Sequence, residues 1–183
     1  MIVYVFLANG FEEIEALTPV DLMRRAGIKV VTVATGDSLT VTGANGIKVQ
    51  ADIMLCDGSL PQADMLVCPG GMPGASNLAA NSVLCDMLKE QFRQGRYVAA
   101  ICAAPAVTLA PLGILDGKHA TCYPGFEPQL TQAGAIHVAE RVVTDGNVIT
   151  ANGPSSAIPF ALTLISSLKG SEAAQTVAQG ILL

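Results

Sequence analysis

The chain has 183 residues, 51% of them hydrophobic and only 14% charged. That composition excludes a disordered chain and suits a single globular domain, 1–183, with a substantial core. The net charge of −5 and the lack of any lysine- or arginine-rich cluster argue against a nucleic-acid-binding module, whose affinity rests on neutralising phosphates.

IVYVFLA, residues 2–8, is a β-branched apolar run without alternation, the pattern of a parallel strand buried on both faces. The mean hydropathy of +0.49 is high. No apolar run approaches the roughly 20 residues of a membrane-spanning helix, so no membrane partner is expected. The N-terminal run also lacks the basic flank of a secretion signal, and the expected compartment is the cytoplasm. FEEIEALTPVDLMRRAG, residues 11–27, reads as a helix. Its acidic residues lie early, Arg24 and Arg25 lie late, and Gly27 suits the C-terminal cap. Pro19 predicts a kink there, or a fresh start capped by Thr18. IKVVTVAT is the second strand. SLTVTGANGIKVQAD alternates around Asn45-Gly46, a hairpin signal. ADMLVCPGG is a buried strand that ends in a glycine loop, and residues 75–94 read as helix with an interruption near Asn81-Ser82. RYVAAIC is a strand, AAPAVTLAPLG a helix and KHATCYP a short strand. RVVTDGNVITANG is a second hairpin turning at Asp145-Gly146, and two helices from Pro154 onward finish the chain. Alternating buried strands and helices predict an α/β protein with a doubly wound, mostly parallel sheet and helices on both faces.

In such sheets, sites form beyond the carboxyl ends of the strands. Three predicted strand ends carry chemistry: Asn9-Gly10 leading to Glu12, Glu13 and Glu15; Pro69-Gly70-Gly71; and Ile101-Cys102-Ala103. Cys102 has two readings. It is an inert core thiol, or it sits at a strand-to-helix turn where backbone N–H groups and a helix N-terminus favour the thiolate. Glu12 and Glu13 suit a dipole role in the first helical turn. Glu15, set among Ile14, Ala16 and Leu17, is the carboxyl expected to be buried and protonated, able to donate a hydrogen bond to a thiolate. Pro69-Gly70-Gly71 is a tight turn or a backbone cradle for an oxyanion. Gly153-Pro154-Ser155-Ser156 starts a helix or offers N–H groups and hydroxyls to an anionic substrate.

The glycines do not complete a nucleotide-binding pattern, so no cofactor is expected. Five cysteines with no CxxC spacing argue against a disulfide framework or a zinc site, and no metal is expected. Cys56, Cys68, Cys85 and Cys122 read as core or near-surface fillers. Cys122, beside Tyr123 at a strand end, is the best second redox thiol among them. Neither His119 nor His137 is locally paired with Cys102.

Four stretches recur together: GFEEIEALTPVDLMRRAGIKV, LVCPGGMPGASNL, AAICAAPAVTLA and ANGPSSAIPFAL. In this combination and order the chain resembles the ThiJ/PfpI superfamily, in the branch of Parkinson disease protein 7, over nearly its whole length. The resemblance implies a flavodoxin-like sandwich and a homodimer whose contact involves the first helix. It implies Cys102 as the reactive cysteine, Glu15 as its protonated partner, and the backbone of Gly71 and Ala103 as oxyanion donors. It also implies glyoxalase or deglycase chemistry on small dicarbonyls such as methylglyoxal, or on glycated amines and thiols. Two departures stand out. Tyr123 occupies the position of the histidine found in glyoxalase-active relatives, and tyrosine is a poorer base near neutral pH. Ala103 follows the cysteine where the protease-like branch has histidine. A second function is consistent with the same cysteine: a peroxide-sensing redox protein or stress chaperone with Cys102 as the oxidisable thiol.

Overall fold

The computed structural model describes residues 1–55 and 60–183. Cys56 lies outside the described residues. The chain core is a seven-stranded sheet built from β1 (Ile2–Leu7), β2 (Lys29–Ala34), β5 (Ile53–Met54), β6 (Met65–Cys68), β7 (Tyr97–Ile101), β10 (Val142–Asp145) and β11 (Val148–Ala151). Their order is β10-β11-β7-β6-β1-β2-β5, and every pairing is parallel except β10 with β11. The central strands are buried along nearly their whole length because both faces are covered, which is why their sequences run apolar without alternation. The mostly parallel sheet sandwiched by helices is the flavodoxin-like arrangement expected from sequence.

On one face, α1 (Glu13–Arg25) packs on α5 (Ala157–Lys169), which packs on α6 (Ser171–Gly180). On the other lie α2 (Gly74–Ala80), α3 (Ser82–Arg93) and α4 (Glu127–Gln132). Asn81 separates α2 from α3 at the expected interruption, and its side chain accepts the Leu84 N–H at 3.0 Å to cap α3. The helix does not restart at Thr18: one helix runs from Glu13 to Arg25 with a buried Pro19 inside it. Proline withholds a single N–H, and the packed helix tolerates that loss.

Three other expectations change in detail. The segment after Cys102 is not a regular α-helix. It is a π-helical turn, Pro105–Leu109, followed by a 3-10 turn, Ala110–Leu112. The Ala110 N–H reaches back to the Pro105 carbonyl, five residues away, which widens the turn just past the cysteine. The KHATCYP strand shrinks to β8 (His119–Ala120) and leaves the main sheet to pair in parallel with β9 (Ile136–His137). The second hairpin turns at Gly146-Asn147, one residue later than expected, because Asp145 still pairs with Val148. The first hairpin forms its own small antiparallel sheet, β3 (Thr40–Thr42) with β4 (Lys48–Gln50), around residues 43–47.

Candidate active site

The strand order sets β1, β6 and β7 side by side. The three loops carrying Glu15, Gly70-Gly71 and Cys102 therefore converge at one sheet edge, although their sequence positions are far apart.

Cys102 leaves β7 with φ +66, a left-handed backbone rare for a side-chain-bearing residue. Three hydrogen bonds hold this elbow. The Cys102 N–H donates to the Ala151 carbonyl at 2.8 Å, the Tyr123 N–H donates to the Cys102 carbonyl at 2.8 Å, and the Val107 N–H donates to Ala103 at 2.9 Å. Small neighbours permit the turn, since Ala103 and Ala104 are both buried. A non-glycine residue kept in this conformation marks a place where side-chain direction outweighs local comfort. Here that direction puts the sulfur within hydrogen-bonding influence of the Gly71 and Ala103 N–H groups.

Glu15 is completely buried. Its Oε2 accepts the Gly70 N–H at 3.0 Å, while Oε1 is buried without a hydrogen-bond partner. The Cys102 side chain is the polar group that acts on this carboxyl besides Gly70 and Glu12. Burial pushes the Glu15 carboxyl up to about 7; the charge of Glu12 adds to the rise, and the interactions with Cys102 and the Gly70 N–H oppose it. Burial, together with a charged Glu15, pushes the Cys102 thiol up to about 12, against the pull of the Gly71 and Ala103 N–H groups. The two groups titrate as a pair. A thiolate next to an ionised carboxylate suffers the repulsion; a thiolate next to a protonated Glu15 does not. The orphaned oxygen gains a role in the same state, as the O–H that donates to sulfur.

Gly70 makes this proximity possible. A Cβ there would stand 2.5 Å from Glu15 Oε2, 2.6 Å from Cys102 Cβ and 2.8 Å from the Ile101 carbonyl. Gly71 is equally constrained, with φ +86 and a would-be Cβ 2.5 Å from the Gly10 carbonyl. Close approach of this backbone to Glu15, Cys102 and Gly10 is what requires glycine at both positions.

Tyr123 is 45% exposed and joins the elbow through its backbone. Its ring lies over Gly153, where a Cβ would come 3.2 Å from Cδ2. Pro154 opens a 3-10 turn, Pro154–Ser156, and lines a groove with Ile14, Leu17 and Ile158 on the α1–α5 side. The Ser156 hydroxyl is already engaged, donating to Asn152 Oδ1 at 2.6 Å and accepting from Arg141 Nε at 3.2 Å. His119 contacts Asp145 through Nδ1 at 3.2 Å. Asp145 lies opposite Val148, and Val148 opposite Val98, so this pair sits toward the amino ends of the parallel strands, away from Cys102. Cys122 is buried, and burial followed by the Glu127 charge pushes its thiol up to about 11. Among the described residues, no cluster of three or more His, Cys, Asp and Glu side chains could hold a metal ion.

Glu13 lies in the first turn of α1, as a dipole role requires, but is not a solvated surface carboxylate. It is buried, and its carboxylate accepts the Asn45 N–H and Asn45 Nδ2, both at 2.8 Å, and the Ile47 N–H at 3.3 Å. Nothing local in the sequence signals a partner more than thirty positions away. Glu12 was legible in principle: its Oε2 accepts the Glu15 N–H at 2.7 Å, the offset of an N-cap.

Fold and site together define a class: an open α/β sheet with a cysteine on a strained strand-to-helix elbow, facing a buried carboxylic acid. The chain belongs to the DJ-1/PfpI family, whose model matches residues 1–167. It is 38% identical to Protein dj-1beta of Drosophila melanogaster over 179 residues, covering 98% of this chain and 95% of that protein. It is 36% identical to Protein DJ-1 homolog B of Arabidopsis thaliana over 170 residues, or 93% of this chain, but spans only 38% of that longer relative. The solved structure of oxidized Toxoplasma gondii DJ-1 superposes with a TM-score of 0.94 at 39% identity, covering 99% of this chain and 97% of that one. No helix among the described residues is long and apolar enough to cross a membrane.

Proposed function

We propose that this chain is a cysteine-dependent enzyme of the glyoxalase/deglycase type, converting reactive dicarbonyls such as methylglyoxal to 2-hydroxy acids without a cofactor. The observation that carries this reading is the buried Glu15 carboxyl, held by the Gly70 N–H with its second oxygen unpartnered and with Cys102 beside it. The Cys102 thiol passes its proton to the Glu15 carboxylate as the sulfur attacks the aldehyde carbon, and the new oxyanion takes a proton back to form a hemithioacetal. The Gly71 and Ala103 N–H groups stabilise that oxyanion. With a pKa near 7, Glu15 can give and take a proton at neutral pH, moving the C1 hydrogen to C2 through an enediol. Water hydrolyses the resulting thioester to lactate, and the Cys102 thiol is regenerated. Related attack on glycated amines or thiols gives deglycation.

The protein acts in this reading as a single domain in the cytoplasm, consistent with the four free cysteines among the described residues. It works as a homodimer through α1, where Ile14 is 53% and Ile158 36% exposed beside one groove. The test is lactate formation from methylglyoxal by the reduced protein beside Cys102→Ser and Glu15→Gln. Cys102→Ser abolishes lactate, and Glu15→Gln lowers it by two orders of magnitude or more. No lactate from the unmodified protein rejects the reaction.

One observation favours a second role. A protonated, unpartnered carboxyl oxygen beside sulfur is also a donor for a Cys102 sulfinate, which would make the same pair a peroxide sensor. The Toxoplasma gondii relative has been solved in an oxidized form. Mass spectrometry after limited peroxide treatment distinguishes this role: Cys102 must oxidise ahead of the other cysteines.

A further inference from the structure

A groove of about 490 Å³ runs beside the elbow, between α2 and α4, and the site chemistry above makes no use of it. Its floor is the turn that begins at Cys102, with Ala106, Val107 and Ala110 facing it. At one wall stands Met72, the residue after Gly71, 49% exposed. At the other stands Phe126, whose N–H donates to the Tyr123 carbonyl at 3.1 Å. Both walls therefore start within a few residues of the groups around the sulfur. The floor is anchored: buried Thr108 donates its hydroxyl to the Ala75 carbonyl of α2 at 3.0 Å.

The groove's chemistry restricts its occupant. Among the described residues that line it there is no charged side chain; the polar groups are Ser76, Gln129 and Gln132. A charged substituent would lose hydration there and gain no counter-ion. A three-carbon dicarbonyl bound at Cys102 would leave this volume unused, since pockets of this size hold drug-sized ligands. Small floor residues leave a trough suited to a linear chain, and an exposed methionine at its mouth adapts to chains of different length.

We propose that this groove is the subsite for an uncharged alkyl substituent, so that the preferred substrates are 2-oxoaldehydes with longer unbranched chains than methylglyoxal. This rests on the dicarbonyl reading and names its substrate class. Each methylene moved from water into the groove favours binding by up to about fourfold. Extending methylglyoxal to 2-oxo-octanal therefore raises kcat/KM by about tenfold or more, even with part of the chain still in solvent.

The experiment compares methylglyoxal with 2-oxo-octanal for the unmodified protein, Val107→Glu and Gln129→Glu. Val107 lies half-buried on the floor and Gln129 is exposed on α4, so the second variant changes groove charge with no change to the core. The expected result is a tenfold preference for the longer substrate, read as the ratio of the two kcat/KM values within each variant, that shrinks to about onefold in Val107→Glu and falls in Gln129→Glu. Octan-2-one, which lacks the aldehyde, serves as a binding probe by calorimetry and should lose affinity for Val107→Glu. Turnover of methylglyoxal with no chain-length preference, or a preference untouched by both variants, overturns the groove assignment and leaves the dicarbonyl reading standing. Absence of turnover on either substrate rejects the dicarbonyl reading, and octan-2-one binding then separately decides whether the groove takes an alkyl chain. Dissociation of a dimer by Val107→Glu would make the groove a contact between copies and would also overturn the proposal.

Discussion

Glu15 concentrates the physical conflict of the site in one side chain. Its carboxyl is raised to about 7 by burial, above the ordinary value of 4.5. The folded protein thus holds a proton that the unfolded chain releases above pH 4.5. The resulting stability is fully present below pH 4.5 and is lost as pH rises through about 7. Its size is on the order of 3 kcal/mol. Urea midpoints at pH 5 and pH 8 should therefore differ more in the unmodified protein than in Glu15→Gln, which has no proton to lose. Equal differences would mean that Glu15 is ionised in the folded state. Tyr123 bears on the proposed turnover at the same scale. A phenol beside the elbow is a weak base near neutral pH, whereas imidazole is well matched. Tyr123→His should raise kcat for methylglyoxal by about tenfold to a hundredfold, and an unchanged or lower kcat would show that the tyrosine does not limit turnover.

At the scale of elements, the hairpin of β3 and β4 is fastened to α1 by one carboxylate. Burial pushes the Glu13 carboxyl up, but its hydrogen bonds from Asn45 and Ile47 outweigh that and hold it below the usual value. A depressed carboxylate contributes stability above the unfolded pKa and loses it as pH falls through the folded one. Glu13→Ala leaves the Asn45 and Ile47 N–H groups without their acceptor and should cost about 1–3 kcal/mol. Hydrogen exchange should accelerate at residues 43–47 while the central strands stay protected. Uniformly faster exchange would instead mean that Glu13 supports the whole fold. The helical pattern of residues 11–27 was legible because acidic and basic residues sit at its proper ends. The burial of Glu13 was not, because its partners arrive from a separate hairpin. The π-turn after Cys102 was also hidden: an alanine-rich run is compatible with any helical hydrogen-bond register, and packing against α2 and α4 selects this one.

At the scale of the molecule, the proposed dimer makes a direct prediction. An arginine at Ile14 would put a charge on the exposed apolar side of α1, and Ile14→Arg should convert the dimer to monomer in sedimentation. A dimer that survives the change would place the contact elsewhere. Sequence and folding divide the information between them. Composition and periodicity by themselves determined an α/β protein with apolar central strands, and residue type with local setting singled out Cys102, Glu15 and the glycines at 70 and 71. These are properties of short windows, where burial and turn chemistry leave a direct imprint. The strand order decided that three of those windows become one site, because β1, β6 and β7 are adjacent only after the chain has crossed the sheet. Tertiary packing also decided that one Glu15 oxygen would stay without a partner, that Glu13 would be buried against Asn45 and Ile47, and that His119 would face Asp145 instead of the cysteine. Protonation and reach depend on distances between segments remote in sequence, and only the folded chain sets those distances.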